Sequence, residues 1–143
     1  MTALYFAYGS NLDARQMRER CPSSRPLFRA RLACHRLDFT YFSSRWNGGA
    51  ADVLPDSDTE VWGVVYALSP ADLDGLDRFE AGYDRILLEV RDDRDAVHRA
   101  TSYVVRRKGS FHPAPVYIEK MIAAATQWEF PQAYLERLGR YRP

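Results

Sequence analysis

The rhythm of apolar and polar positions changes several times along the chain, and each change marks an element. Tyr5-Phe6-Ala7-Tyr8 is apolar, aromatic and uncharged, and reads as a strand. It breaks at Gly9-Ser10-Asn11 and runs into a polar helical pattern over residues 13–20. Residues 27–33 fit either state. Leu37-Asp38-Phe39-Thr40-Tyr41 alternates, as a half-buried strand does. Trp46-Asn47-Gly48-Gly49 reads as a turn, and residues 50–54 as a short strand ended by Pro55-Asp56-Ser57-Asp58. Residues 60–68 form an almost continuous β-branched and aromatic run, expected to be buried on both faces. Ser69 then suits an N-cap, Pro70 the first helical position and Asp72 the first turn. Leu73, Leu76 and Phe79 share one face of that helix, and Ala81-Gly82 ends it. Residues 83–91 and 98–107 read as a hairpin across a polar turn at 92–95. Two helices close the chain. One, over 116–128, has Ile118, Met121, Ile122, Ala125 and Trp128 at helical spacing; the other, over 131–138, turns Tyr134, Leu135 and Leu138 inward. This order defines an α+β fold, a small mixed β-barrel or strongly curved sheet flanked by helices, with an open mixed sheet as the alternative.

Composition narrows the functional classes. A chain of 143 residues is expected to form a single domain over 1–143. Hydrophobic residues at 46% are enough for a core and exclude a disordered chain. The formal net charge is only +1, with no charge block pointing to a nucleic-acid or membrane partner. The densest basic run, Arg106-Arg107-Lys108, reads as a solvated strand end. Cys21 and Cys34 form neither a metal-type pair nor a disulfide framework, so free thiols and a cytoplasmic location are expected. No secretory leader or bilayer-spanning run is visible.

Two places carry candidate chemistry. The strand-to-helix turn at Gly9-Ser10-Asn11 gathers backbone N–H groups that suit a carboxylate or an oxyanion. Gly9 permits a positive φ and a close ligand, and Ser10 and Asn11 are good N-caps. An ordinary capped turn has the same sequence. Glu80 follows the apolar face of the second helix and precedes a break. A carboxyl held there in a desolvated pocket gains the raised pKa a general acid/base needs, whereas a plain helix-end glutamate would be solvated. His35, His98 and His112 pair with no ligand at metal spacing; His98 is expected at the surface, and His112 lies in a loop that could face a cleft. Cys34 and His35 are adjacent on a strand and point apart, so they form no dyad. Ser10 lacks a nucleophile-elbow context, and Gly48-Gly49 lacks the Lys of a phosphate loop. Trp46, Trp62 and Trp128 read as core or cleft wall.

Together the two places resemble the γ-glutamylcyclotransferase-like family. The first match is Tyr5-Phe6-Ala7-Tyr8-Gly9-Ser10-Asn11-Leu12, the family's substrate-holding loop; the second is Leu76-Asp77-Arg78-Phe79-Glu80-Ala81-Gly82-Tyr83, around its catalytic glutamate. Ala30-Arg31-Leu32, Leu37-Asp38-Phe39, Gly48-Gly49-Ala50-Ala51 and Glu60-Val61-Trp62-Gly63-Val64-Val65-Tyr66 follow in family order, and residues 113–117 resemble its second substrate-contacting segment. The resemblance spans nearly the whole chain. It implies a small barrel flanked by helices, with Glu80 as catalytic acid/base. Tyr5, Phe6, Ala7, Tyr8, Gly9, Ser10, Asn11 and Tyr117 are implied as substrate-binding residues. The implied reaction cyclises a γ-glutamyl group to 5-oxoproline, with no metal or cofactor, in a monomer or homodimer. The turn after Glu80 is shorter than relatives often carry, so the attached group is open: an amino acid, a γ-glutamylamine or a biosynthetic γ-glutamyl conjugate. A non-catalytic binding module on the same fold is the remaining alternative, and the presence of Glu80 argues against it.

Overall fold

The computed structural model describes residues 2–143. Five strands close into a barrel in the order β1-β3-β2-β4-β5, where β1 is Ala3–Ala7, β2 Arg25–Ser43, β3 Gly48–Leu68, β4 Tyr83–Arg91 and β5 Val97–Val105. Four helices flank it: α1 (Ala14–Arg20), α2 (Pro70–Leu76), α3 (Pro115–Gln127) and α4 (Gln132–Gly139). The fold is therefore the α+β barrel that the order of elements implies. β1 runs antiparallel to β3 and parallel to β5, where Tyr5 meets Thr101 and closes the barrel. β2–β3 and β4–β5 are antiparallel hairpins, and a single pairing, Arg31 with Arg91, joins them. No helix among the described residues is long and apolar enough to cross a membrane.

The β2–β3 hairpin is longer than the sequence reading. Residues 27–33 and 37–41 belong to one strand, and the turn is Ser44–Asn47, so Gly48 and Gly49 already lie in β3. Pro55-Asp56-Ser57-Asp58 does not end a strand. The register passes from Ala33–Glu60 to His35–Pro55, so residues 56–59 loop out as a wide bulge opposite Cys34, whose φ is +59°. Pro55 is tolerated because bulges free backbone positions from the ladder. Beyond the bulge, residues 61–68 are buried throughout, as their composition requires.

Glycine allows the tightest approach in the core. A Cβ on Gly63 would meet the Phe6 ring at 2.6 Å, so the Phe6 side chain lies directly on the β3 backbone, fully buried. Phe39, Val64 and Tyr66 share this interior, while Met17, Leu76, Ile118, Met121 and Leu138 bring the helices onto it. The start of α2 is as expected: Ser69 Oγ accepts from the Asp72 N–H with Pro70 in the first turn. The helix is shorter than expected, however. It ends at Leu76, and a 3-10 turn over Asp77–Phe79 follows, so Phe79 leaves the buried face and stands 38% exposed.

Candidate active site

The barrel topology brings distant parts of the sequence to one end. The ends of β1, β2 and β5 and the starts of β3 and β4 converge there, because successive antiparallel neighbours reverse direction. They surround a narrow cavity that is partly open to solvent. Tyr5, Tyr8, Gly9, Ser10, Asn11, Tyr117 and Glu80 all line it. Phe6 and Ala7 do not. They alternate with the cavity-facing residues or end the strand, and both are fully buried in the core.

The loop that follows β1 is held from below. Ser10–Leu12 forms a 3-10 turn, and the N-cap of α1 is Asp13 rather than Ser10 or Asn11. The polar side chains of Ser10 and Asn11 instead build a network. Gln16 Nε2 donates to Ser10 Oγ at 2.9 Å and to Asn11 Oδ1 at 3.0 Å, while Asn11 Nδ2 donates to Tyr5 Oη at 3.0 Å. Gly9 has a φ of −113°, so no left-handed backbone is involved. Its lack of a side chain matters for a different reason: a Cβ there would sit 2.8 Å from Tyr117 Oη and 3.1 Å from the Ala51 Cβ. Tyr117, at the first turn of α3, accepts from the Ala51 N–H at 3.0 Å and is buried, which pushes its pKa up to about 12. Its hydroxyl therefore stays protonated at neutral pH and can donate a hydrogen bond into the cavity.

Glu80 is the C-cap of the 3-10 turn and half-buried. Desolvation raises its pKa to about 8; the nearby Arg20 charge opposes the rise and Asp77 adds to it. Its side chain lines the cavity. The supports around it are fixed. Asp77 accepts from Tyr103 Oη and is clamped by Arg85, and Tyr83 Oη donates to the Ala51 carbonyl at 2.6 Å. Gly82, at φ +89°, lets the chain turn from Glu80 into β4 against the face of Tyr41, whose ring a Cβ would meet at 2.4 Å.

Several cavity residues escape sequence reasoning. Arg20, Tyr41, Arg45, Phe79, Tyr83 and Tyr103 all line it. Arg20 and Arg45 look like ordinary surface arginines in the sequence, and Tyr83 and Tyr103 look like strand residues. Trp46, allowed for as a cleft wall, is one. Conversely, His112 is exposed and does not reach the cavity; its carbonyl accepts from the Gly49 N–H. His98 is half-buried rather than on the surface, packed on Phe28 and hydrogen-bonded to Asp92.

One end of the barrel thus holds a polar cavity lined both by a carboxyl of raised pKa and by the glycine turn after β1. Residues 60–138 match the AIG2-like family. The chain is 34% identical over 152 aligned positions to the γ-glutamylcyclotransferase of Mus musculus, covering 99% of this chain and 80% of that one. The Homo sapiens γ-glutamylcyclotransferase is 32% identical over 148 positions, covering 98% and 79%. A solved structure of a γ-glutamyl cyclotransferase superposes with a TM-score of 0.94 at 32% identity, over 100% of this chain and 89% of that one. The chain belongs to the AIG2-like γ-glutamylcyclotransferase family.

Proposed function

We propose that this protein is a γ-glutamylcyclotransferase that releases 5-oxoproline from a γ-glutamyl compound, with Glu80 as general acid/base. The observation that supports it most is a carboxyl of pKa about 8 facing the same cavity as the Gly9 turn. In the reaction the Glu80 carboxylate takes a proton from the substrate α-ammonium. The freed amine attacks its own γ-carbonyl carbon, and a C–N bond forms to close the five-membered ring. The ring nitrogen then gives up a second proton, and Glu80 relays the two in turn to the departing nitrogen as its C–N bond breaks, so that it leaves as an ammonium. Atoms balance without water, metal or cofactor, because the nucleophile belongs to the substrate. The step is unimolecular, so the main task of the protein is to hold the substrate folded. The Tyr8, Gly9 and Ser10 backbone N–H groups would hold its α-carboxylate or the developing oxyanion, and the Tyr117 hydroxyl would contact it. Tyr5 and Asn11 act through the network that fixes this turn. In this reading the chain works as one domain on a small molecule in the cytoplasm.

The test is 5-oxoproline release from a panel of γ-glutamyl compounds by the wild type and by Glu80→Gln. The variant should lose roughly 10²–10⁴-fold in kcat/KM with an unchanged circular dichroism spectrum. Turnover like the wild type would sink the assignment.

A further inference from the structure

Three side chains from three different elements meet at the mouth of the cavity. Phe79 stands exposed at the end of the 3-10 turn. The Arg20 guanidinium, from the last residue of α1, lies 4.7 Å from its ring centroid, and the Arg45 guanidinium, from the β2–β3 turn, lies 5.2 Å away. Two cations over one ring are near enough to oppose each other's charge. Arg20 is also tethered, donating to Asn11 Oδ1 at 3.1 Å. Among the described residues neither guanidinium is ion-paired with a carboxylate, whereas Arg29, Arg31, Arg85, Arg106 and Arg142 all are. Like charges gathered with no carboxylate at ion-pair distance repel each other in the empty site, and an anion that reaches both relieves the repulsion.

Charge counting identifies that anion. Among the described residues, the Asp, Glu, Lys, Arg or His side chains that line the cavity are Arg20, Arg45 and Glu80. In the productive complex the α-ammonium matches the Glu80 carboxylate and the backbone N–H groups of the Gly9 turn match the α-carboxylate, so the two guanidiniums remain to be matched by the group attached to the γ-carbonyl. We propose that Arg20 and Arg45, steadied on Phe79, select the leaving group by its negative charge, and that the preferred leaving group is an acidic amino acid with two carboxylates. This rests on the cyclotransferase reading and specifies its substrate. Neutral amino acids rank second, and leaving groups with no carboxylate rank last.

The test compares kcat/KM for 5-oxoproline release from γ-glutamyl-glutamate, the near-isosteric γ-glutamyl-glutamine, γ-glutamyl-lysine and γ-glutamyl-ethylamine. The wild type should favour glutamate over glutamine by about threefold to tenfold, chiefly in KM, and the preference should shrink as salt rises. Arg45 is in an exposed turn, so its variants should fold. Arg45→Gln should bring the glutamate-to-glutamine ratio toward one, Arg45→Lys should retain part of it, and Arg45→Glu should favour lysine over glutamate. A merely structural role for Arg45 would lower all four substrates together and leave their order unchanged. That outcome, or a wild type indifferent to charge, overturns the proposal while leaving the cyclotransferase reading intact. Release from none of the four overturns both.

Discussion

At Glu80 the direction of the pKa shift dictates how activity depends on pH. The base form is required to take the ammonium proton, and in the free enzyme that form is a minority below about 8. We expect kcat/KM to rise about tenfold per pH unit through the neutral range and to level near 8. A bound ammonium stabilises the carboxylate, so the midpoint for kcat should lie lower. Arg20 holds the pKa down, so Arg20→Gln should move the kcat/KM midpoint upward. A flat profile between pH 6 and 8, or a midpoint moved downward in that variant, would contradict the assignment. Gly9 gives a second test. Its Cβ-sized space is occupied by the Tyr117 hydroxyl, so Gly9→Ala should displace that hydroxyl and break its bond to Ala51. We expect at least a tenfold loss of kcat/KM, about 1.4 kcal/mol or more, with a loss in stability of about 1–3 kcal/mol. Tyr117→Phe in the Gly9→Ala background should recover part of the stability, because it removes the clashing oxygen. Failure to recover any would place the strain elsewhere. The sequence singled out both residues mainly through the family resemblance around them, because the turn alone fits an ordinary cap and the spacing of Glu80 alone fits a solvated helix end. The reason for Gly9 was not legible, because a close approach by a side chain 108 positions away leaves no local signal.

The elements show where local reading fails and why. Strand existence was clear from β-branched and aromatic runs, but strand length was not. Pro55-Asp56-Ser57-Asp58 has the composition of a turn, and only its pairing opposite Cys34 makes it a bulge inside one strand. Phe79 fits the helical spacing of Leu73 and Leu76, yet the change to a 3-10 turn rotates it off the buried face and into the cavity mouth. The run Arg106-Arg107-Lys108 is the exposed strand end that was expected, but Lys108 does not simply extend into water. Instead its Nζ donates at 2.7 Å to Asp52, a fully buried carboxylate in β3 that also accepts from Thr40 Oγ1 in β2 and the Val105 N–H in β5. One carboxylate thus ties three strands together. A hydrophobic run such as residues 50–54 gives no hint that its Asp is internal until its partners arrive from elsewhere. Lys108→Met leaves that charge buried with two hydrogen bonds and no cation. We expect a loss of about 1–3 kcal/mol, below the cost for a fully enclosed pair because the lysine is 38% exposed. Urea denaturation measures it, and an unchanged midpoint would mean that Asp52 is adequately held by Thr40 and Val105 alone.

For the whole molecule, the site is a stability deficit that the barrel carries. A carboxyl whose pKa rises on folding holds its proton in the native state after the unfolded chain has released it. Between pH 4.5 and about 8, each step upward in pH therefore removes stability, at a limiting slope of about 1.4 kcal/mol per unit. Below 4.5 the proton is bound in both states and the penalty is absent; above 8 it is fully developed. Partial exposure of Glu80 reduces the total to about 1–3 kcal/mol. Glu80→Gln removes the titration and keeps the shape. The variant should melt close to the wild type at pH 4.5 and about 3–8 °C above it at pH 9, most of the gap opening between pH 5 and 8. A gap that closes with rising pH would reverse the sign of the shift, and a constant gap would mean that Glu80 is solvated in the native state. The loss of turnover and the gain in stability should appear in the same variant. Desolvation is the common cause, because the enclosure that suits the carboxyl to moving protons near neutral pH also makes its charge unwelcome in the fold. A structural glutamate engaged by partners would behave in the opposite way, losing stability on substitution. The paired measurement therefore separates a site residue from a scaffold residue without reference to any substrate.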